Sequence, residues 1–201
     1  LSGPAWICGL RENDGDRSNL ALQNAGAPGE GDVVLRVTVC SGDSVACVVR
    51  PDVSLPPGGF TQVGGILGEH GMTNGYVKVE RVGGTAPWFA YGVVNDQANS
   101  DGSFVPPQPA STAAVTGLTV PVVLEASVYT SDLVATNWSG RSRTLTLSFV
   151  SDQVDRPDAT AATSLVLAAG AQVILPNVFQ YFRDRATPGI GPAGSGYVGA
   201  L

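Results

Sequence analysis

Asn95-Asp96-Gln97-Ala98-Asn99-Ser100-Asp101-Gly102 is the stretch whose residue types best suit a ligand site. Calcium takes several oxygen ligands from a flexible loop, and a glycine lets that loop turn sharply. Asp96, Asn99 and Asp101 could supply such oxygens. The spacing is not that of an EF-hand, and no Glu stands at the twelfth position. The same residue types also build ordinary turns, because their side chains accept nearby backbone N–H groups. Glu12, Asp14 and Asp16 form a second, weaker acidic loop. Calcium is thus the one cofactor worth carrying forward, and nothing points to another.

The patterns that would carry catalysis fail on their surroundings. Gly42-Asp43-Ser44 resembles the nucleophile loop of chymotrypsin-like proteases, but Val45 follows where the oxyanion-loop glycine belongs. The single histidine, His70, comes after that serine, opposite to the order in those proteases. Gly189-Ile190-Gly191-Pro192-Ala193-Gly194 satisfies the dinucleotide fingerprint letter by letter. That fingerprint needs a strand before it and a helix after it. Pro192 interrupts it and no helical pattern follows. Asp152, Asp155 and Asp158 share a polar loop with Arg156, and nothing sets their environments apart as acid–base chemistry requires. The chain is therefore read as non-catalytic.

Trp88 and Tyr91, with Trp6, Trp138 and Tyr129 elsewhere, could offer flat rings to a sugar. Scattered aromatics in a β-sandwich more often fill the core. Cys40 and Cys47 flank a turn-rich loop between two apolar strands, so a hairpin would bring them together as a disulfide. Cys8 could instead pair with either of them or with another chain. A zinc site would need more ligands than three scattered Cys and one His give.

These residues sit on a β-rich scaffold. Hydrophobic residues make up 43% of the 201, charged residues only 14%, and 26 Gly and 14 Pro punctuate short Val-, Leu- and Thr-rich runs. That is the composition of many strands joined by tight turns. The net charge is −6, with no cluster of Lys and Arg to neutralise phosphates, which argues against nucleic acid as a partner. No apolar run reaches the roughly 20 residues of a membrane-spanning helix. The chain starts at Leu1 without Met or signal peptide, so a targeting signal is expected to have preceded it.

Alternation marks the strands. In residues 33–39, Val33, Leu35, Val37 and Val39 point one way and Val34, Arg36 and Thr38 the other, as in a half-buried strand. Residues 75–82 and 88–94, joined by Gly83-Gly84, read as a hairpin. Pro56-Pro57-Gly58-Gly59 is a turn. Pro106-Pro107-Gln108-Pro109 opens a spacer.

The stretch Ser18-Asn19-Leu20-Ala21-Leu22-Gln23-Asn24 returns as Ser131-Asp132-Leu133-Val134-Ala135-Thr136-Asn137. Leu145, Leu147 and Phe149 follow like Leu35, Val37 and Val39. Leu165-x-Leu167-x-x-Gly170 follows like Val53-x-Leu55-x-x-Gly58, and Gly196-Tyr197-Val198 like Gly75-Tyr76-Val77. Two β-sandwich units are therefore expected, at 1–105 and 118–201, with 106–117 as linker. After Val198 only Gly199, Ala200 and Leu201 remain, where the first copy runs on through a hairpin. The second unit is thus expected to lack its last strands and to offer unpaired backbone.

The phrasing Arg17-Ser18-Asn19-Leu20-Ala21-Leu22-Gln23-Asn24, then Leu55-Pro56-Pro57-Gly58-Gly59, then Gly75-Tyr76-Val77 resembles tandem Ig-like β-sandwich repeats of large secreted bacterial surface proteins. The resemblance implies an all-β fold of two antiparallel sandwiches, used outside the cell or at its surface as spacer, adhesive unit or fibre subunit, with no catalytic residues. A filament subunit assembled by strand donation is one such form. Leu1, Trp6 and Ile7 at the start and Leu201 at the end would then be assembly residues, and partners would be further copies or other surface proteins. The alternative is a carbohydrate-binding or adhesive accessory module of a secreted enzyme, with glycans as partners.

Overall fold

The computed structural model describes residues 1–110, 117–153 and 160–201. It is nearly all β, and the strand pairings within its three larger sheets are antiparallel. The chain divides into two compact units, Leu1–Thr112 with Gly170–Gln172, and Ala113–Ala169 with Val173–Leu201.

The first unit contains β1 (Ala5–Arg11), β2 (Asp16–Asn24), β3 (Val33–Ser41), β4 (Cys47–Val49), β5 (Val53–Leu55), β6 (Phe60–Val63), β7 (Asn74–Gly83), β8 (Trp88–Asp96), β9 (Gly102–Val105) and β10 (Gln108–Pro109). One sheet runs β10-β1-β7-β3-β4, with β5 also on β3, and the other runs β6-β2-β8-β9. Period-two alternation makes the sandwich. Val33, Leu35, Val37 and Val39 of β3 are buried while Val34, Arg36 and Thr38 are not fully so. They meet Leu20 and Leu22 of β2 and Trp88 and Ala90 of β8 in a single core. The expected turn after β5 forms: the Gly59 N–H donates to the Pro56 carbonyl at 2.7 Å. Gly58 between them has φ 73°, as the third residue of a type II turn requires. Part of the stretch read as a spacer is structured, since Gln108 and Pro109 pair with Trp6 and Ala5.

The second unit contains β11 (Val123–Ala126), β12 (Tyr129–Thr130), β13 (Leu133–Thr136), β14 (Arg143–Ser151), β15 (Thr160–Leu167), β16 (Gln172–Leu175, of which Gln172 belongs to the first unit), helix α1 (Val178–Asp184) and β17 (Tyr197–Ala200). One sheet runs β12-β11-β17-β14-β15, and β13 pairs with β16. The core centres on Phe149, Phe179 and Tyr197. Phe149 meets Phe179 edge-on at 4.9 Å, and Phe179 stacks on Tyr197 at 5.0 Å, geometries that suit the ring quadrupole.

The helix is not in the sequence reading. It is seven residues long, too short for a period to stand out. Two things hold it. The Asn177 side chain accepts the Phe179 and Gln180 N–H groups as an N-cap, a residue type suited to that place. Val178, Phe179 and Phe182 are wholly buried, so packing supplies what two turns of helix cannot supply alone.

Candidate functional site

Because strand side chains alternate, β8 sends Trp88, Ala90 and Val94 inward and Phe89, Tyr91 and Val93 outward. The register then lines up the outer face of the four-stranded sheet in rows. Gln23 stands between Phe60 and Phe89, and Ala21 between Gln62 and Tyr91. Val93 stands between Asn19 and Phe104. Phe60 is 53% exposed and Phe104 59%, with Phe89 and Tyr91 half-buried. The ring centroids of Phe89 and Tyr91 lie 6.1 Å apart and those of Tyr91 and Phe104 5.3 Å apart. These rows hold rings and neutral amides, with no carboxylate, thiol or imidazole. Such a face can stack, exclude water and hydrogen-bond through amides and the Tyr91 hydroxyl.

Of the two binding residues named from the sequence, the structure puts one on this face. Tyr91 lies at its centre. Trp88 is 1% exposed and packs in the core, so its ring is not presented to any ligand. Phe60, Phe89 and Phe104 were not singled out from the sequence. The signal was there in β8, where Phe89 and Tyr91 alternate with Trp88 and Ala90, so one pair had to face outward.

The disulfide forms between Cys40 and Cys47, which sit opposite each other on β3 and β4, and it does not involve Cys8. The polar groups of the loop it closes are engaged: Ser44 Oγ accepts the Ala46 N–H at 3.3 Å, and Asp43 Oδ1 accepts from Asn74 Nδ2 of β7 at 3.0 Å. His70 ends a short 3-10 turn, Gly68–His70.

In the acidic loop the oxygens proposed for calcium already hold the turn. Asp96 Oδ1 accepts the Ala98 N–H at 2.7 Å, and Asn99 Oδ1 the Asp101 N–H at 2.8 Å. The Asp96 N–H donates to the Asp101 carbonyl and the Ser100 N–H to the Asp96 carbonyl, both at 2.8 Å. Such side-chain bonds explain the loop without a cation. No function is routed through calcium at this loop. Among the described residues, no group of three or more His, Cys, Asp or Glu is placed to hold a metal. Asp155, Arg156 and Asp158 lie outside the described residues.

The assembly residues read from the sequence are engaged at home. Ile7 is fully buried on β1, which pairs with β7, and Trp6 pairs across to Lys78 and Gln108. The Leu1 ammonium donates to the Trp88 carbonyl at 2.6 Å. Leu201 exchanges backbone hydrogen bonds with Val120. For this terminus to fill another subunit, β1 would have to leave its own core.

One titratable pair went unnoticed in the sequence. Arg183 on α1 donates through both terminal nitrogens to the two Glu125 oxygens on β11, and Asn177 Nδ2 donates to Oε1 at 2.9 Å. The Arg183 hydrogen bond holds the Glu125 carboxyl below its usual range, against the opposing effect of burial. Both side chains are only 10–12% exposed. The pair ties the helix to the sheet.

No protein-family model matches the chain, and no curated protein does. A solved structure, the crystal structure of Thermotoga maritima 1070, is similar over 56% of this chain and 97% of its own, at 15% identity and a TM-score of 0.41. A likeness at that level carries no argument about fold or function.

Proposed function

We propose that this chain is a non-catalytic module that acts by contact, outside the cell or at its surface. The observation that carries this is the outer face of the first unit, where Phe60, Phe89, Tyr91 and Phe104 stand in register on one open sheet. Exposed apolar clusters of this kind mark interaction surfaces. Ser44 and Asp43, in the loop that resembles a nucleophile motif, hydrogen-bond to Ala46 and Asn74. The Cys40–Cys47 bond fits an oxidising compartment.

Replacing Tyr91 and Phe104 together by Ser should leave cooperative unfolding intact and abolish attachment of the purified protein to the surface of its source cells. Unchanged attachment would remove this face from the reading. A broad hydrolase screen should show no turnover, and turnover lost in His70→Ala would overturn the non-catalytic part.

The same face favours one second reading, carbohydrate binding. Rings that flank the amides of Gln23 and Gln62 offer stacking surfaces beside hydrogen-bonding groups, and the rows are uncharged. Glycan-array binding lost on Tyr91→Ala would support it. Trp88→Ala would lose binding only by disturbing the core, so it is the wrong variant for the purpose.

A further inference from the structure

We infer that β15 is a self-recognition edge, and that its partner is β15 of a second copy of this chain, antiparallel across a two-fold axis at Ser164. This edge belongs to the second unit and does not depend on the aromatic face of the first.

The two units treat one position of the fold differently. β3 and β14 are counterparts, since Leu35, Val37 and Val39 recur as Leu145, Leu147 and Phe149. Beyond β3 the first unit is broken up: β4 and β5 are three residues each, with Arg50, Pro51 and Asp52 between them. Short strands, charges and proline are devices that keep a sheet edge from pairing with another chain. Beyond β14 the second unit has β15 alone, the last strand of its sheet among the described residues. It runs eight residues beside β14 with no shift of register. Its sequence, Thr160-Ala161-Ala162-Thr163-Ser164-Leu165-Val166-Leu167, holds no charge, proline or glycine. A long, flat, uncharged edge is a ready template for a further strand.

The backbone groups on that edge follow from the register. The Asp152 N–H donates to the Val198 carbonyl beside the pair Ser151–Gly199, so Val150 turns its N–H and carbonyl toward β17. Groups alternate sides along a strand, so Phe149 faces β15 and meets Ala161 opposite. Thr160, Ala162, Ser164 and Val166 therefore face away from β14. The unit's own residues reach two of these. Gly189 lies so near the Thr160 carbonyl that a Cβ on it would stand 2.0 Å away, which closes that end. The Tyr181 hydroxyl donates to the Ser164 carbonyl at 2.9 Å. The open stretch is thus Ala162–Val166, under one displaceable hydroxyl.

That stretch is complementary to itself. With Ser164 opposite its own copy, Ala162 stands against Val166 on the exposed face, and Thr163 against Leu165 on the core face. Each of these pairs sets a smaller side chain against a larger one, and cross-strand pairs are what stabilise a sheet. The stretch carries no charge, so a copy escapes here the repulsion that a net charge of −6 imposes elsewhere. A two-fold contact closes on itself, so the product is a dimer with one continuous sheet and not a fibre.

The test is cross-linking of the folded chain. Residues opposite each other in a hydrogen-bonded antiparallel pair have Cα atoms about 5.5 Å apart, within reach of a disulfide. Ser164→Cys should therefore give a disulfide-linked dimer on mild oxidation, at least tenfold faster than Thr146→Cys. Thr146 lies opposite Ser164 on β14, which puts it about 14 Å from its own copy. The unaltered chain, with its free Cys8, sets the background. Val166→Lys places a charge on the edge at a side chain 63% exposed. In the Ser164→Cys chain it should keep cooperative unfolding and abolish the cross-link. Tyr181→Phe frees the Ser164 carbonyl and should move dimer formation to lower concentration in sedimentation. Amide exchange at Ala162 and Val166 of the unaltered chain should slow as its concentration rises. Equal cross-linking of Ser164→Cys and Thr146→Cys would overturn the inference, and so would exchange that ignores concentration. Replacing Tyr91 and Phe104 by Ser should leave the cross-link unchanged, so this edge and the aromatic face stand or fail separately.

Discussion

Asn24 and Asn137 show how much one side chain can organise. Asn24 is fully buried. Its amide donates to the carbonyls of Gly31 and Leu55, and its oxygen accepts the Gly26 N–H at 2.9 Å. Asn137 bonds Arg141, Leu167 and Ala168 and accepts the Ser139 N–H. Each closes its own turn and reaches across to a strand of the facing sheet. Alanine at either place leaves buried backbone groups without partners, each costing about 1–3 kcal/mol. We expect Asn24→Ala and Asn137→Ala each to destabilise the host unit by about 3 kcal/mol or more in denaturant titration, and a loss under about 1 kcal/mol would show that water replaces the amide. Glu125 gives a pH signature at the same scale. Its carboxyl is held below its ordinary value of 4.5 by Arg183, so the unfolded state binds the proton more readily. The stabilisation is present above the unfolded value and is lost as pH falls through the folded one. Glu125→Gln should flatten that acid limb of the stability curve. The exposed Arg36–Asp52 pair shifts Asp52 in the same direction, but solvent screening leaves such a pair little influence.

Elements were legible in the sequence to the extent that they alternate. The repeated stretch named β2 and β13, and residues 33–39 and 75–82 named β3 and β7, because one face of each had to be apolar. The Cys40–Cys47 hairpin followed from turn residues between two such strands. Helix α1 was hidden because two turns show no period, and its counterpart in the first unit, Ile66 and Leu67 before Gly68–His70, is not an α-helix at all. The aromatic face was half-legible. Alternation in β8 separates Trp88 from Tyr91, but which of the two faces water depends on the second sheet, a long-range fact no local pattern holds. The hairpin carries its own prediction. The bond joins residues seven apart, and by the chain-entropy argument a loop so short contributes about 2.5 kcal/mol. Reduction, or Cys47→Ser, should lower the stability of the first unit by about that amount, read by urea unfolding with and without reductant.

At the scale of the whole molecule, the two units have separate cores with no residue in common among those described. Separate cores need not melt together. The second core has fewer wholly buried aliphatic side chains, and its β13 is half-buried along its whole length where the middle of β2 is sealed. We therefore expect thermal unfolding in two steps, with the second unit melting first. Each perturbation above then has an address. Reductant and Asn24→Ala should move the later step alone, while Asn137→Ala, Glu125→Gln and acid should move the earlier one. A single transition moved by all of these together would mean that the two cores share one cooperative unit.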